Sequence, residues 1–236
     1  GTITATTFTG AATDATKLPL AGGTMTGTLN VNNTLPTIKL TDTNSGGYYS
    51  SVNQEGSSFK ILADEGNVGS GQIRFYVGSG AEKVRIDSTG AVTMPLQPAF
   101  LAQIGSTQSN ISINGEVTIL FSTEIFDQNA DFNTGNYTFT APVTGKYQFN
   151  VNFRLDNMDT GAHYYNMYFK TSNRYYYAII DPLFTADPQY YSMQLPVLAD
   201  MDANDTAIVK IYCAGGSAQM DISTGADSHF SGYLAC

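Results

Sequence analysis

Behind the turn Pro142-Val143-Thr144-Gly145, the chain places Tyr147, Phe149 and Val151 on every second residue. Side chains two apart share one face of a strand, so this stretch has one apolar and one polar face. The pattern recurs in "NGEVTILF", "YTFTAP", "YYNMYFKT", "YYYAII", "SMQLPVL", "TAIVKIYC", "AQMDI" and "HFSGYLAC". No window carries a sustained 3.6-residue period with capping signals, so helix content is expected to be low. Nine or ten closely spaced strands without intervening helices point to an all-β sandwich or jelly roll. A face like that of Tyr147 and Phe149 must then pack against a second sheet.

Texture divides the 236 residues into three parts. Residues 1–35 hold eleven Thr and few large apolar side chains, too little to bury a core alone. Residues 36–96 read as short strands: Ile38 and Leu40 alternate in "TIKLTD", Phe59 and Ile61 in "SFKILAD", Ile73 and Phe75 in "QIRFYVG", and Val84 and Ile86 in "KVRID". "DSTG" (Asp87–Gly90) then turns the chain into "AVTM". These apolar faces are thin for a monomer, and association around an axis would complete them. Pro95 and Pro98 mark the break to residues 97–236, where aromatic density rises and one domain-sized set of strands follows.

Charge excludes some partners. Only 13% of residues are charged, and the net charge is −9, which repels phosphate backbones and argues against nucleic acid. No stretch approaches the ~20 apolar residues of a membrane-spanning helix, and the start lacks a signal-peptide pattern. Membrane insertion is not expected. In "AIVKIYC", Val209, Ile211 and Cys213 share a face, so a buried thiol is the plain reading of Cys213; a Cys213–Cys236 disulfide is the sharper one.

Phe121, Asp127, Phe132, Phe139, Gly145, Tyr147 and Phe149 fall at fixed spacing over the 31 residues that end at Val151. This resembles the signature of the globular heads of the complement q subunit, a family that shares its jelly roll with tumour necrosis factor. Val151 alone departs, standing where the family has Phe or Tyr. Phe230, Gly232, Tyr233 and Leu234 resemble the family's closing strand. The resemblance covers roughly 97–236 and implies a ten-stranded jelly-roll head that forms homotrimers. It places Phe139, Tyr147 and Phe149 on adjacent antiparallel strands, with Gly145 at a tight turn.

No collagen-like Gly-X-Y stalk precedes this head. Instead "KLPLAGGTMTGTLNV" (Lys17–Val31) resembles a short motif of bacteriophage tail and side fibres, and "RIDSTGAVTM" shares their cadence. Leu18, Leu20, Met25, Leu29 and Val31 can point at a three-fold axis, while Gly22, Gly23 and Gly27 let backbones approach. The two resemblances together imply the distal part of a homotrimeric fibre of a virion. Its partners would be the rest of the tail and a host-cell glycan or outer-membrane protein. The rivals are an oligomeric recognition module of cellular origin and a fibre-borne glycan hydrolase.

Candidate chemistry is sparse. Cys213, Cys236, His163 and His229 lack zinc-ligand spacing. Asp200, Asp202, Asn204 and Asp205 mimic the start of a calcium loop, but Asp205 replaces its Gly and Ile211 its closing Glu, which excludes an EF-hand. A calcium ion at a trimer apex is allowed by the family resemblance, with no ligands assigned; no other cofactor is expected. No nucleophile elbow or phosphate loop occurs, so the chain reads as a non-enzyme. Eight of the fifteen tyrosines lie within residues 164–191. Three consecutive tyrosines cannot share one face, so some must be outward. Tyr175, Tyr176, Tyr177, Arg174, Tyr190 and Tyr191 are the candidate receptor-binding residues, with ring faces and hydroxyls suited to sugars.

Overall fold

The computed structural model describes residues 28–43, 48–65, 70–78 and 80–236. The Leu18–Gly27 fibre-like motif and most of the Thr-rich segment lie outside the described residues. Among the described residues there is no helix, and so none long and apolar enough to cross a membrane. The chain separates into two compact units, one ending at Arg74 but taking in Arg85–Val92, the other comprising Phe75–Val84 and Thr93–Cys236.

In the first unit, β1 (Thr37–Asp42), β2 (Tyr48–Glu55) and β3 (Ser58–Leu62) form an antiparallel sheet in that order. The two outer strands are those expected from apolar alternation. The middle one, "YYSSVNQE", escapes it because Ser and Asn fill its polar positions. β4 (Ile73–Tyr76), β5 (Glu82–Ile86) and β6 (Val92–Thr93) form a second three-stranded sheet. Between β5 and β6, the Asp87 carboxylate accepts the Thr89 and Ala91 N–H groups at 2.8 and 3.0 Å while Gly90 takes φ +88°. The "DSTG" turn is thus an Asp-capped reversal that needs glycine.

Twelve strands build the head: β7 (Ala99–Ile104), β8 (Glu116–Thr118), β9 (Thr123–Asp127), β10 (Phe132–Asn133), β11 (Thr138–Thr140), β12 (Gly145–Asp156), β13 (Tyr164–Thr171), β14 (Tyr175–Ile180), β15 (Tyr190–Met201), β16 (Thr206–Ala214), β17 (Asp221–Ile222) and β18 (Gly225–Leu234). The first sheet runs β15-β12-β18-β7-β9, with β17 also on β12. The second runs β10-β11-β16-β13-β14, with β8 also on β16. This is the jelly-roll sandwich expected, with the short β8 and β17 added to the ten strands of the two main paths. β7 and β9 were not among the strands read from alternation: β7 builds its inward face partly from Ala102, and β9 leaves Ile125 and Phe126 exposed.

The core lies between the sheets. From the first sheet come Phe100, Tyr147, Phe149, Phe153 and Phe230, and from the second Phe139, Tyr165, Phe169, Val209 and Ile211, all essentially inaccessible. Phe149 meets Phe169 across the gap with ring centroids 4.9 Å apart. One expectation needs correction. Phe139 does not neighbour Tyr147 and Phe149 on adjacent strands; β11 pairs with β16 in the opposite sheet. Its ring still reaches both, at 5.4 Å each, because the Pro142–Gly145 turn carries the chain from one sheet to the other.

The spaced signature residues have separate jobs. Phe121, Phe132, Phe139, Tyr147 and Phe149 are buried. Asp127 accepts the Phe132 N–H at 2.7 Å, tying the end of β9 to the start of β10. The Tyr147 hydroxyl donates to Val143 O at 2.7 Å across the turn. Gly145 is required by close approach: a Cβ there would stand 2.7 Å from both Cys236 O and Leu234 Cδ1. Val151 is buried opposite Phe230, whose ring touches those of Phe100, Phe121, Phe132, Phe149 and Phe169. The aromatic surface absent at 151 is supplied from the facing strand. Cys213 and Cys236 are both free thiols, the first buried, with Val209 and Ile211 on its face, and the second exposed.

Candidate functional site

On the second sheet, alternation fixes which side chains leave the core. In β16, Val209, Ile211 and Cys213 point inward, which turns Lys210 and Tyr212 outward. In β13, inward Tyr165, Met167 and Phe169 leave Tyr164, Asn166, Tyr168 and Lys170 outward. In β14 the outward residues are Tyr175, Tyr177 and Ile179. Antiparallel register sets Tyr168 opposite Tyr177 on one side and Lys210 on the other, and Lys170 opposite Tyr175. Five tyrosines thus share one solvent-facing surface.

Their rings form two groups. Tyr168 meets Tyr177 edge-on at 5.3 Å and Tyr175 at 6.3 Å, while Tyr175 and Tyr177 lie nearly parallel, 6.1 Å apart. Tyr164 stacks on Tyr212 at 6.0 Å. Edge-to-face and offset contacts of this kind hold ring planes in place and leave other faces open. Tyr177 is 55% exposed and Tyr175 42%. The Lys170 ammonium sits 4.9 Å above the Tyr175 ring, and Lys210 pairs with Glu116 at 2.7 Å. Between the ring groups, Asn166 Oδ1 is buried and accepts no hydrogen bond from the protein.

Partial burial raises the Tyr168 hydroxyl's pKa, with the Tyr164 phenol adding to the effect, so it stays a neutral donor. The Tyr175 side chain holds the Lys170 ammonium above its ordinary pKa. The surface therefore offers ring faces, phenol hydroxyls and two cations, a set that can stack on a sugar ring and hydrogen-bond its hydroxyls.

The residues singled out in the sequence are distributed unevenly. Tyr175 and Tyr177 lie together on this face. Tyr176 turns inward against Phe169, with centroids 5.9 Å apart. Arg174 sits in the β13–β14 turn and donates from Nε to Asp200 at 3.0 Å. Tyr190 and Tyr191 belong to β15 of the first sheet: Tyr190 lies 4.8 Å beneath the Arg154 guanidinium, and Tyr191 packs on Phe184 at 6.1 Å. Tyr212 was missed. The signal was present, because Val209, Ile211 and Cys213 inward force Tyr212 outward, but only the sheet order puts β16 beside β13.

The acidic turn is occupied by its own neighbours. Asp205 accepts from Asn173 Nδ2 at 2.7 Å and from the Asp202 N–H at 2.8 Å, and Asn204 takes φ +73°. The Arg174 guanidinium holds the Asp200 carboxyl below its ordinary pKa. Among the described residues, no three His, Cys, Asp or Glu side chains converge as a metal-binding group.

The family model of the C1q domain matches residues 99–235. Among solved structures, the globular domain of zebrafish complement 1qA is similar at 16% identity and a TM-score of 0.44, covering 59% of this chain and 98% of that one. A crystal structure of murine APRIL at pH 8.5 is similar at 11% identity and a TM-score of 0.43, covering 58% and 98%. Another at pH 8.0 gives 13% and 0.42, with the same coverage. No curated protein matches the chain. C1q domains are typically non-enzymatic binding modules that form homotrimers. The family model covers more than half of this sequence, and the chain belongs to the C1q domain family.

Proposed function

We propose that the chain is the distal part of a homotrimeric bacteriophage tail fibre, and that its C1q head attaches the virion to a saccharide on the host bacterial surface. The observation that carries the recognition step is the outward cluster of Tyr168, Tyr175 and Tyr177 with Lys170 beside it. Ring faces fixed by their neighbours stack on the C–H side of a pyranose at little entropic cost, and the hydroxyls and ammonium reach its oxygens. Three copies on one fibre tip make modest single-site affinity sufficient. The fibre context is supported by the Lys17–Val31 motif and the "RIDSTGAVTM" cadence ahead of the head. An outer-membrane protein displaying such glycans would engage the same face.

The test is adsorption of the labelled chain to a panel of bacteria, with competition by polysaccharide purified from each strain that binds. Saturable adsorption displaced by the polysaccharide supports the proposal. Family membership by itself also favours a second reading, an oligomeric recognition module of cellular origin. That reading gains if no bacterium adsorbs the chain and an animal-cell surface does. Release of reducing ends from the bound polysaccharide would instead make the chain a hydrolase.

A further inference from the structure

The β1-β2-β3 sheet leaves its more apolar face uncovered. Register places Ile38 opposite Val52 and Val52 opposite Ile61, with Leu40 opposite Ser50 and Gln54 opposite Phe59, all on one face. That face is open to solvent: Leu40 is 69% exposed, Phe59 68%, Ile61 51% and Ile38 45%. The other face carries Lys39, Ser51, Asn53, Glu55 and Lys60, with Tyr49 and Leu62 among them. Ser51 on this polar side is the buried one, donating to Glu65 at 2.5 Å and accepting from Asn53 at 3.5 Å. Glu65 is folded back over it, its N–H on Tyr49 O at 3.1 Å. A small sheet needs a covered apolar face to be stable, and an open one of this composition marks a contact surface.

We infer that the apolar face of β1-β2-β3 packs against the same face in other copies of this chain. Three observations select a second copy as the occupant. C1q-family domains form homotrimers, so two further copies of this sheet are tethered at hand, residues 63–98 joining β3 to the head strand β7. Tethering to one trimer raises the local concentration of these copies, which an unlinked partner must outcompete. The centre of the face carries no charge, whereas the whole chain carries −9, so copies can meet here without the repulsion that other surfaces would bring. Leu40, Phe59 and Ile61 are large knobs beside the smaller Ser50, a surface able to interlock with itself around a three-fold axis. The inference rests on the homotrimeric part of the proposed function and is independent of the receptor.

The experiment uses the full chain in a Cys236→Ser background, which removes the exposed thiol and leaves buried Cys213. Phe59→Cys and Leu40→Cys probe the apolar face, and Lys60→Cys probes the polar face one residue away. After mild oxidation at low protein concentration, Phe59→Cys and Leu40→Cys are expected to give disulfide-linked chains on a denaturing gel, roughly tenfold or more above Lys60→Cys. Equal linking at 59 and 60, or none at either face position in a protein that sediments as a trimer, overturns the inference and leaves the head trimer standing. Sedimentation as a monomer overturns both.

Discussion

Gly232 on β18 stands opposite Phe149 on β12, and the phenyl ring occupies the space where a side chain at 232 would be. A Cβ on residue 232 would lie 2.5 Å from Phe149 Cδ1 and 2.9 Å from Phe100 Cε1. Both rings are locked by neighbours, Phe149 by Phe139, Phe169 and Phe230, and Phe100 by Phe132 and Phe139. Gly232→Ala therefore forces a packed aromatic layer to shift, at a cost of about 1–3 kcal/mol. Urea denaturation should show a lower midpoint with an unchanged slope.

The tyrosine run separates recognition from stability. Tyr175 and Tyr177 are exposed on the candidate face, and Tyr176 packs inward on Phe169. Tyr175→Ala with Tyr177→Ala should reduce adsorption to the host roughly tenfold or more while shifting stability by less than about 1 kcal/mol. Tyr176→Ala should do the reverse, costing about 1–3 kcal/mol. Equal loss of stability in both variants would assign all three rings to packing.

Legibility followed the range of the contacts. Strands with large residues at alternate positions, such as β12 and β13, were readable because burial of one face dictates a period of two. β2 was not, since its stability comes from lying between β1 and β3 and not from its own side chains. The Phe121–Val151 spacing identified the sandwich, yet it could not say that Phe139 and Phe149 sit in opposite sheets, because spacing does not encode sheet order. The same blindness grouped Tyr190 with Tyr175 and omitted Tyr212. Nearness in sequence stood in for a neighbour relation that is set by β16 pairing with β13 across some forty residues.

Acid should weaken the turn beside the candidate face. Asp200 has its pKa lowered chiefly by the hydrogen bond from Arg174. A carboxylate with a depressed folded pKa contributes stability above its ordinary value of 3.8, and that contribution is lost as pH falls through the lower folded value. Arg174→Gln should flatten the dependence of stability on pH below about 4. Because the pair is exposed, high salt should flatten it in the parent as well. Denaturant midpoints measured from neutral to strongly acidic pH check this, and superimposable profiles would dismiss the pair.

Alkali should act on the core itself. Burial raises the pKa of the Tyr165 hydroxyl, which accepts the Asp159 N–H at 2.8 Å and donates to Asp159 O at 3.0 Å. Burial raises Tyr147 likewise, and it raises the Cys213 thiol that faces Tyr165 across β13 and β16. Each is an acid that keeps its proton longer in the folded chain than in the unfolded one. Both states are protonated below the ordinary values, 9.0 for the thiol and 10.0 for the phenols; above each the unfolded chain releases the proton first, and stability falls as pH rises. In a spectroscopic titration the phenolates of Tyr147 and Tyr165 should appear only together with loss of β-sheet signal. Tyr165→Phe should cost about 0.5–1.5 kcal/mol at neutral pH through the lost hydrogen bonding, yet make the decline above pH 10 shallower. An unchanged alkaline slope in that variant would remove Tyr165 from the account and leave Tyr147 and Cys213 to explain it.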